Sequence, residues 1–222
     1  MPRSKLKKFQ AITALTNVIE PSKEIYKEVK GFWQEKVFKN SNPIVLEIGC
    51  GYGEYTVGLA EMFPHRNFVG IDIKGERIWQ GAVNSFEKNL GNAAFLRAQI
   101  NRLPDFFKEG EAAEIWITFP DPRPRDKDIK RRLTSQRFLE IYKQIAASNS
   151  LIHLKTDNLD LFNFSYNLLK DNEQKNFIKN LQYTFDLYDS NLQNFTFGLQ
   201  TRYEKLFLPE VKTIKYLQFQ FT

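Results

Sequence analysis

The sequence is poor in the side chains on which much protein chemistry depends. It contains one cysteine, Cys50, and two histidines, His65 and His153, in 222 residues. One cysteine excludes an internal disulfide and leaves a thiolate metal site without enough ligands. Two histidines leave few candidates for an imidazole general base, and we expect both to be structural. The scarcity of cysteine is typical of a reducing compartment.

Long apolar runs are also lacking. None approaches the roughly 20 residues that a membrane-spanning helix requires. The initial segment MPRSKLKKF is basic, but no apolar core follows it, so we expect no secretory signal and a cytoplasmic location.

The charge balance is basic. The 32 lysines and arginines exceed the 26 acidic residues, for a net charge of +6. This excess favours a polyanionic partner, either nucleic acid or an acidic membrane surface. The hydrophobic fraction of 42% is sufficient for a folded core.

Strand-like and helix-like segments alternate along most of the chain. The segments PIVLEIG, NFVGIDI, AAFLRAQ, EIWITF and SLIHLKT each predict a strand, and helical patterns separate most of them. This alternation predicts an α/β fold with a parallel sheet and helices on both faces. Near the end, VKTIKYLQFQF alternates in polarity and predicts a half-exposed, antiparallel strand near the sheet edge.

The length fits one domain with a short extension. We expect residues 1–21 to form a basic N-terminal arm and residues 22–222 a single domain. The domain is predicted to begin with a continuous helix with Ser22 as its N-cap. Apolar residues follow it at helical spacing, namely Ile25, Val29, Phe32, Trp33 and Val37.

The segment LEIGCGYGEYT predicts a ligand-binding loop. Gly49, Gly51 and Gly53 lie between a strand and a helix, where glycine permits a sharp turn and close approach of a ligand. In a dinucleotide fingerprint the third glycine would come at Glu54, and the Gly-Lys-Ser/Thr of a phosphate-binding loop is absent. Both departures point away from dinucleotides and ATP. A glycine turn without a ligand is the alternative.

Two acids accompany this loop. Glu47 precedes it, and Asp72 ends the next predicted strand, where a carboxylate can accept ribose hydroxyls. Two acids and no phosphate cradle suit a nucleoside that carries positive charge and no phosphate. S-adenosylmethionine has a ribose, an ammonium and a sulfonium, so we expect it to be the cofactor.

A second motif, FPDPRPRDKDIKRRL, follows the strand EIWITF at the same predicted sheet edge. Pro120 and Pro122 restrict the backbone on both sides of Asp121 and so present this acid in a defined direction. The alternative is a solvated turn. The basic residues that follow predict phosphate contacts beside a methyl donor: Arg123, Arg125, Lys127, Lys130, Arg131 and Arg132.

These motifs together resemble those of the bacterial tRNA (guanine-N7-)-methyltransferase family. The resemblance rests on LEIGCGYGEYT, VGIDIKGERI, PDPRPRDKDIKRRL, LKTDNLDLF and TRYEKLF, in the family's order. Many class I methyltransferases share the first two, whereas the last three are more specific. The resemblance implies a Rossmann-like class I methyltransferase fold, with a mostly parallel seven-stranded sheet and an antiparallel strand near the C-terminus. It also implies that S-adenosylmethionine methylates N7 of the guanine at position 46 in the variable loop of tRNA.

The resemblance carries roles onto matching positions, and it implies no metal. Asp121 would be the active-site acid. The residues that would bind the cofactor are Glu47, Gly49, Gly51, Gly53, Asp72, Gln99 and Asp121. The residues that would face the tRNA substrate are Arg125, Asp157, Thr201, Arg202, Tyr203 and Glu204. The chain departs from the family at four places, with Gln99 for an acid, Arg123 for tryptophan, Arg125 for lysine, and Lys127-Asp128 for Arg-His.

The implied chemistry agrees with what the sequence lacks. Guanine N7 carries a lone pair and no proton, so direct displacement needs neither a general base nor a covalent nucleophile. Asp121 or Asp157 could stabilise the cationic product ring and hold the guanine N1 and N2 protons. Three aromatic residues could stack on the base, namely Tyr52, Phe119 and Tyr203.

Two other functions are compatible with the sequence, namely methylation of another RNA base or of an exocyclic amine by S-adenosylmethionine, and RNA binding without catalysis. The FPDP segment loosely resembles the Asn/Asp-Pro-Pro-aromatic turn of methyltransferases that act on exocyclic amines. The chain could also be a non-catalytic RNA-binding module that keeps the fold of a methyltransferase.

Overall fold

The computed structural model describes residues 11–207 and 213–222, and within them eight strands form one sheet. The strands are β1 (Val18–Ile19), β2 (Ile44–Ile48), β3 (Asn67–Asp72), β4 (Ala93–Arg97), β5 (Ala112–Thr118), β6 (Ala146–Thr156), β7 (Ile178–Thr184) and β8 (Lys215–Phe221). Their order across the sheet is β1-β4-β3-β2-β5-β6-β8-β7.

The strand directions confirm the predicted α/β architecture. The pairs from β1 to β6 are all parallel, whereas β8 is antiparallel to both β6 and β7. The sheet has one strand more than expected, because Val18 and Ile19 pair with Phe95 and Leu96 of β4. These two residues lie in the segment predicted as an arm, and residues 1–10 of that segment lie outside the described residues. The domain boundary at residue 21 stays a prediction.

The prediction of a half-exposed terminal strand was wrong. Every residue of β8 except Gln220 is buried, because β7 occupies the edge of the sheet. The buried polar residues of β8, namely Lys215, Tyr216 and Gln218, have hydrogen-bond partners within the protein. The Tyr216 hydroxyl lies 2.7 Å from His153 Nδ1 and donates to Gln218, and the His153 ring stacks on Trp116 at 3.9 Å.

Helices cover both faces of the sheet. They are α1 (Ile25–Glu28), α2 (Glu54–Met62), α3 (Gly75–Glu87), α4 (Gln136–Ile145), α5 (Leu159–Gln174) and α6 (Arg202–Phe207). Alternation along β2 explains this arrangement, since Leu46 and Ile48 pack in one core cluster with α4, and Val45 packs in a second cluster with α2. No helix within residues 11–207 and 213–222 has the length and apolar character needed to cross a membrane.

The prediction of one continuous helix from Ser22 was also wrong. The chain forms the short α1, turns at Gly31 with φ of 78°, and then forms a π-helical turn over Trp33–Phe38. Burial of Trp33 accounts for the break. Its indole Nε1 donates to the carbonyl of Phe106 at 2.8 Å, and its ring stacks on Phe107 at 5.1 Å. The Ser22 hydroxyl donates to Glu20 and does not cap a helix.

Candidate functional site

A cleft of about 880 Å³ lies at the edge of the sheet where the parallel strands end. Ligand sites of open α/β sheets occur at this edge. Four of the residues predicted to bind the cofactor line the cleft: Gly49, Asp72, Gln99 and Asp121. A second cavity of about 580 Å³ lies between the N-terminal segment and α3, but Lys36 is the only charged residue that lines it among those described. The described lining of this second cavity contains no carboxylate that could bind a ligand, so we assign the site to the cleft.

The glycine loop after β2 divides its glycines between two tasks. All three have positive φ, 72° at Gly49, 54° at Gly51 and 72° at Gly53. A Cβ at Gly53 would lie 2.5 Å from Cε1 of Phe95, so this glycine permits the loop to pack on β4. A Cβ at Gly51 would meet no atom within 4 Å. Gly51 therefore leaves space beside the loop for a ligand.

Asp72 holds the glycine loop and faces the cleft. Its Oδ2 accepts a hydrogen bond from the Gly51 N–H at 3.0 Å, and its Oδ1 accepts one from the Lys74 N–H at 2.9 Å. Each carboxylate oxygen keeps a further acceptor position. The arrangement can therefore accept ribose hydroxyls while the carboxylate stays fixed by backbone.

Glu47 lies beneath the loop and is not among the described residues that line the cleft. Its carboxylate accepts from the Thr56 N–H at 2.8 Å and hydroxyl at 2.5 Å, and from the Thr118 hydroxyl at 3.3 Å. Because α2 begins at Glu54, the Thr56 N–H is an orphan donor of its first turn, and the Glu47 carboxylate satisfies it. Burial raises the pKa of Glu47 to about 7, and the Thr56 hydrogen bonds oppose that rise. Glu47 thus joins β2, α2 and β5, and its contact with a cofactor stays a prediction.

This raised pKa makes stability depend on pH. The folded protein retains the Glu47 proton where the unfolded chain, with a pKa of 4.5, has released it. The contribution of this proton to the free energy of unfolding is fully present below the pKa of Glu47 in the unfolded chain. It is lost as pH rises through about 7, the pKa in the folded protein. From about pH 6 to about pH 8 we expect the unfolding free energy to fall by about 1 kcal/mol relative to Glu47→Gln, which cannot titrate. Urea unfolding at both pH values measures the difference. The exposed substitution Glu35→Gln should follow the unsubstituted protein, and parallel profiles for all three would contradict the assignment.

The Pro120-Asp121-Pro122 turn begins directly after β5 and has unusual backbone geometry. Phe119 and Arg123, on either side of it, have φ of 45° and 47°, in the left-handed region that residues other than glycine rarely adopt. The Asp121 carboxylate is exposed and accepts from the Arg123 N–H at 3.1 Å, and the Arg123 Nε lies 3.2 Å from it. Such outliers cluster at functional sites.

A smaller pocket of about 350 Å³ adjoins the cleft on the other side of this turn. Phe119, Pro120 and Asp121 line both cavities. The remaining residues that line the pocket are Pro122, Asp157, Asn158 and Tyr203. The structure thus places Asp121 between two adjoining cavities.

The small pocket combines aromatic faces with hydrogen-bonding groups. The rings of Phe119 and Tyr203 lie 5.4 Å apart, and the Tyr203 hydroxyl donates to Asp157 Oδ2 at 3.0 Å. Of the three aromatic candidates, these two line the pocket, whereas Tyr52 is not among its described lining residues. A planar base with N–H donors could stack here and be held by carboxylates.

Thr201 and Glu204 form a capping box at the start of α6. The Thr201 hydroxyl accepts from the Glu204 N–H at 3.1 Å, and the Glu204 carboxylate accepts from the Thr201 N–H at 3.3 Å. Both side chains are buried, whereas Arg202 and Tyr203 are exposed. The predicted contact of Thr201 and Glu204 with the substrate stays a prediction. In this structure these two side chains position Arg202 and Tyr203. The T-x-x-E spacing in the sequence was the available signal for this box.

Sequence reasoning missed Lys155, which anchors the capping box. This fully buried residue lies near the end of β6, and its Nζ is 2.8 Å from Glu204 Oε1. It also donates to the Tyr55 hydroxyl at 3.0 Å and to the Leu199 carbonyl at 3.1 Å. Burial lowers the pKa of Lys155, and Glu204 opposes that change. The only sequence signal was a lysine inside a strand pattern.

An acid inside the basic run that follows the turn neutralises part of its charge. Asp128 is buried, and its two carboxylate oxygens lie 2.6 Å from Arg125 Nη2 and 3.2 Å from Arg131 Nη1. Arg131 lines the cleft, and Arg125 remains largely exposed. Asp128 therefore orients two arginines whose remaining N–H groups can donate to phosphate. In the part of the chain that the structure describes, no group of three or more His, Cys, Asp or Glu side chains could hold a metal ion.

The chain is similar to known methyltransferases in sequence and in fold. The family described as "Putative methyltransferase" matches residues 41–217. The tRNA (guanine-N(7)-)-methyltransferase of Cytophaga hutchinsonii is 46% identical over 221 residues, covering 100% of this chain and 99% of that protein. The protein of the same name from Bacteroides fragilis is 43% identical and covers 99% of this chain and 86% of its own length. Among solved structures, the 16S rRNA methyltransferase KamB superposes with a TM-score of 0.63 at 15% identity, covering 85% of this chain and 92% of that one. At that identity the likeness shows the fold alone.

Proposed function

This chain belongs to the tRNA (guanine-N7-)-methyltransferase family, and from that premise we propose that it methylates N7 of a guanine in tRNA. The observation that carries the proposal is the position of Asp121, which borders both the cleft and the smaller pocket. A methyl donor in one cavity and a base in the other would meet at this residue.

The cleft fits S-adenosylmethionine, which when bound supplies a methyl group on a positively charged sulfonium. Asp72 would accept the ribose hydroxyls, because its carboxylate faces the cleft and keeps free acceptor positions. Gly49 and Gly51 would let the cofactor approach their backbone, since the space beside Gly51 is open. Gln99 lines the same cleft and can hydrogen-bond the adenine.

The smaller pocket fits the acceptor guanine. Phe119 and Tyr203, whose rings contact each other, would offer an aromatic surface to one face of the guanine, and the carboxylates of Asp121 and Asp157 would accept from its N1 and N2 protons. N7 needs no deprotonation, so these residues have to orient the base rather than remove a proton. The Asp121 carboxylate would also stabilise the positive charge that develops on the ring.

We propose position 46 of the variable loop as the target and the cytoplasm as the location. Sequence-specific recognition of RNA favours loop nucleotides, whose unstacked bases can enter a pocket. Two exposed arginines are close in sequence to residues that line the smaller pocket, since Arg202 directly precedes Tyr203 and Arg125 follows shortly after Pro122. These arginines would contact the phosphates around such a loop.

Labelled S-adenosylmethionine and total bacterial tRNA test the proposal directly. We expect label at N7 of guanine 46, found by mapping the modified nucleotides. Label on an exocyclic amine or on another base would refute the proposed reaction. If calorimetry detected no binding of S-adenosylmethionine, a non-catalytic RNA-binding module would replace the enzyme.

Arg125 provides a separate test of tRNA binding. Removing one phosphate contact with Arg125→Ala should weaken tRNA binding at all sequences and reduce the slope of log K against log salt by about 0.7 to 0.9. Lys88→Ala is the control, because Lys88 follows α3 at the opposite edge of the sheet and pairs with Glu61. An unchanged slope for Arg125→Ala would mean that Arg125 pairs with Asp128 and does not contact phosphate.

A further inference from the structure

The turn that carries Asp121 needs external support. Left-handed backbone at both Phe119 and Arg123 is intrinsically disfavoured, and such geometry persists only where the surroundings determine it. The first half of the turn is held by the sheet, because the Phe119 N–H donates to the Lys155 carbonyl at 2.8 Å. The second half extends beyond the sheet, and its support has to come from elsewhere.

Within the turn, the Asp121 carboxylate accepts from the Arg123 N–H, and from outside the turn Arg132 supports the same half. Its Nε donates to the Pro122 carbonyl at 3.0 Å, and its Nη2 lies 3.4 Å from the Arg123 carbonyl. Its guanidinium lies over the Phe164 ring at 4.6 Å. Arg132 is 7% exposed, whereas its neighbour Arg131 is exposed and pairs with Asp128.

We infer that Arg132 is a positioning residue that fixes the Pro-Asp-Pro turn so that Asp121 stands between the two cavities. This replaces the expectation that Arg132 contacts phosphate, because the side chain is buried and its Nε and Nη2 already donate to two consecutive carbonyls of the turn. The inference rests on the proposed function, since Asp121 is the residue through which Arg132 acts.

The chemistry of the site selects arginine. The planar guanidinium presents several donors in a fixed fork, and two of them reach adjacent carbonyls while the flat face stacks on Phe164. Lysine offers a single ammonium on a flexible stem and cannot make the same three contacts. Arg132→Lys should therefore keep the charge and lose the support.

Steady-state kinetics with tRNA and S-adenosylmethionine test this role. For Arg132→Lys and Arg132→Ala we expect kcat to fall by on the order of tenfold, with the KM for tRNA and the salt slope unchanged. Added guanidinium should restore part of the lost kcat in Arg132→Ala and none in Asp121→Asn. Arg137→Ala is the matched control, because Arg137 also lies against a phenylalanine ring, Phe138 at 6.0 Å, but on α4 and away from the turn.

A double-mutant cycle tests whether Arg132 affects kcat through Asp121, which a general folding defect would not reproduce. If Arg132 acts through Asp121, then Arg132→Lys combined with Asp121→Asn should be no slower than Asp121→Asn alone. If Arg132→Ala does not fold, Phe164→Leu provides a second test. It removes the ring on which the Arg132 guanidinium stacks, and we expect it to lower kcat as well.

Two results would overturn the inference. One is a raised KM for tRNA with a smaller salt slope and an unchanged kcat, which would identify Arg132 as a phosphate contact. The other is full kcat in Arg132→Lys. Either failure is distinct from failure of the proposed function, which would appear as absence of N7 label with the unsubstituted protein.

Discussion

Asp121→Asn is expected to lower kcat for tRNA methylation by a factor on the order of 100 or more, at saturating S-adenosylmethionine. The amide keeps the size of the carboxylate and an acceptor for the Arg123 N–H, so the turn should survive. It loses the negative charge that stabilises the cationic ring and one acceptor for the guanine protons. Single-turnover rates with bound tRNA measure the loss separately from substrate binding.

Asp126→Asn is the matched control. Asp126 is an exposed acid five residues further along the same segment, and we expect its substitution to change kcat by about twofold at most. If Asp121→Asn and Asp126→Asn were equally active, Asp121 would lose its catalytic role, and Asp157 would be the remaining carboxylate able to serve the pocket.

The site could be anticipated where its residues follow strands directly. Asp72, Gly49 and Asp121 each come at the end of a predicted strand, and parallel strands bring their ends to one edge regardless of other packing. The pairing of β2 with β3 and β5 fixes this neighbourhood, so local patterns were enough. The resemblance to the methyltransferase family added Asp157 and Tyr203, which the structure brings beside Asp121.

Burial could not be read from the same patterns. Glu47 and Glu204 are acids within functional motifs, yet each carboxylate is enclosed by partners from elements distant in sequence. Whether an acid faces a ligand or a buried hydroxyl depends on packing that no local spacing encodes. Gly31 shows the same limit for the fold, since the burial of Trp33 interrupts a segment with helical periodicity.

Lys155→Met is expected to lower the free energy of unfolding by about 3–5 kcal/mol, because it leaves the buried Glu204 carboxylate without its counter-charge. Methionine has a similar length and fills the space, so the loss reports the charge rather than a cavity. Guanidinium unfolding followed by tryptophan fluorescence measures it. Lys88→Met is the control, because it breaks an exposed pair with Glu61 and should cost about 1 kcal/mol at most.

The double variant Lys155→Met with Glu204→Gln separates charge from position. Removing both charges should recover part of the stability, since no unpaired ion then remains buried. The double variant should still bind tRNA more weakly than the unsubstituted protein. Lys155 also donates hydrogen bonds to Tyr55 and to the Leu199 carbonyl, and these two bonds hold the chain that enters α6. Methionine cannot donate them, so Tyr203 is expected to be held less firmly against Asp157. The KM for tRNA should then rise while the affinity for S-adenosylmethionine stays unchanged. If stability and KM both recovered in the double variant, the pair would contribute only charge balance, and the position of α6 would depend on the capping box alone.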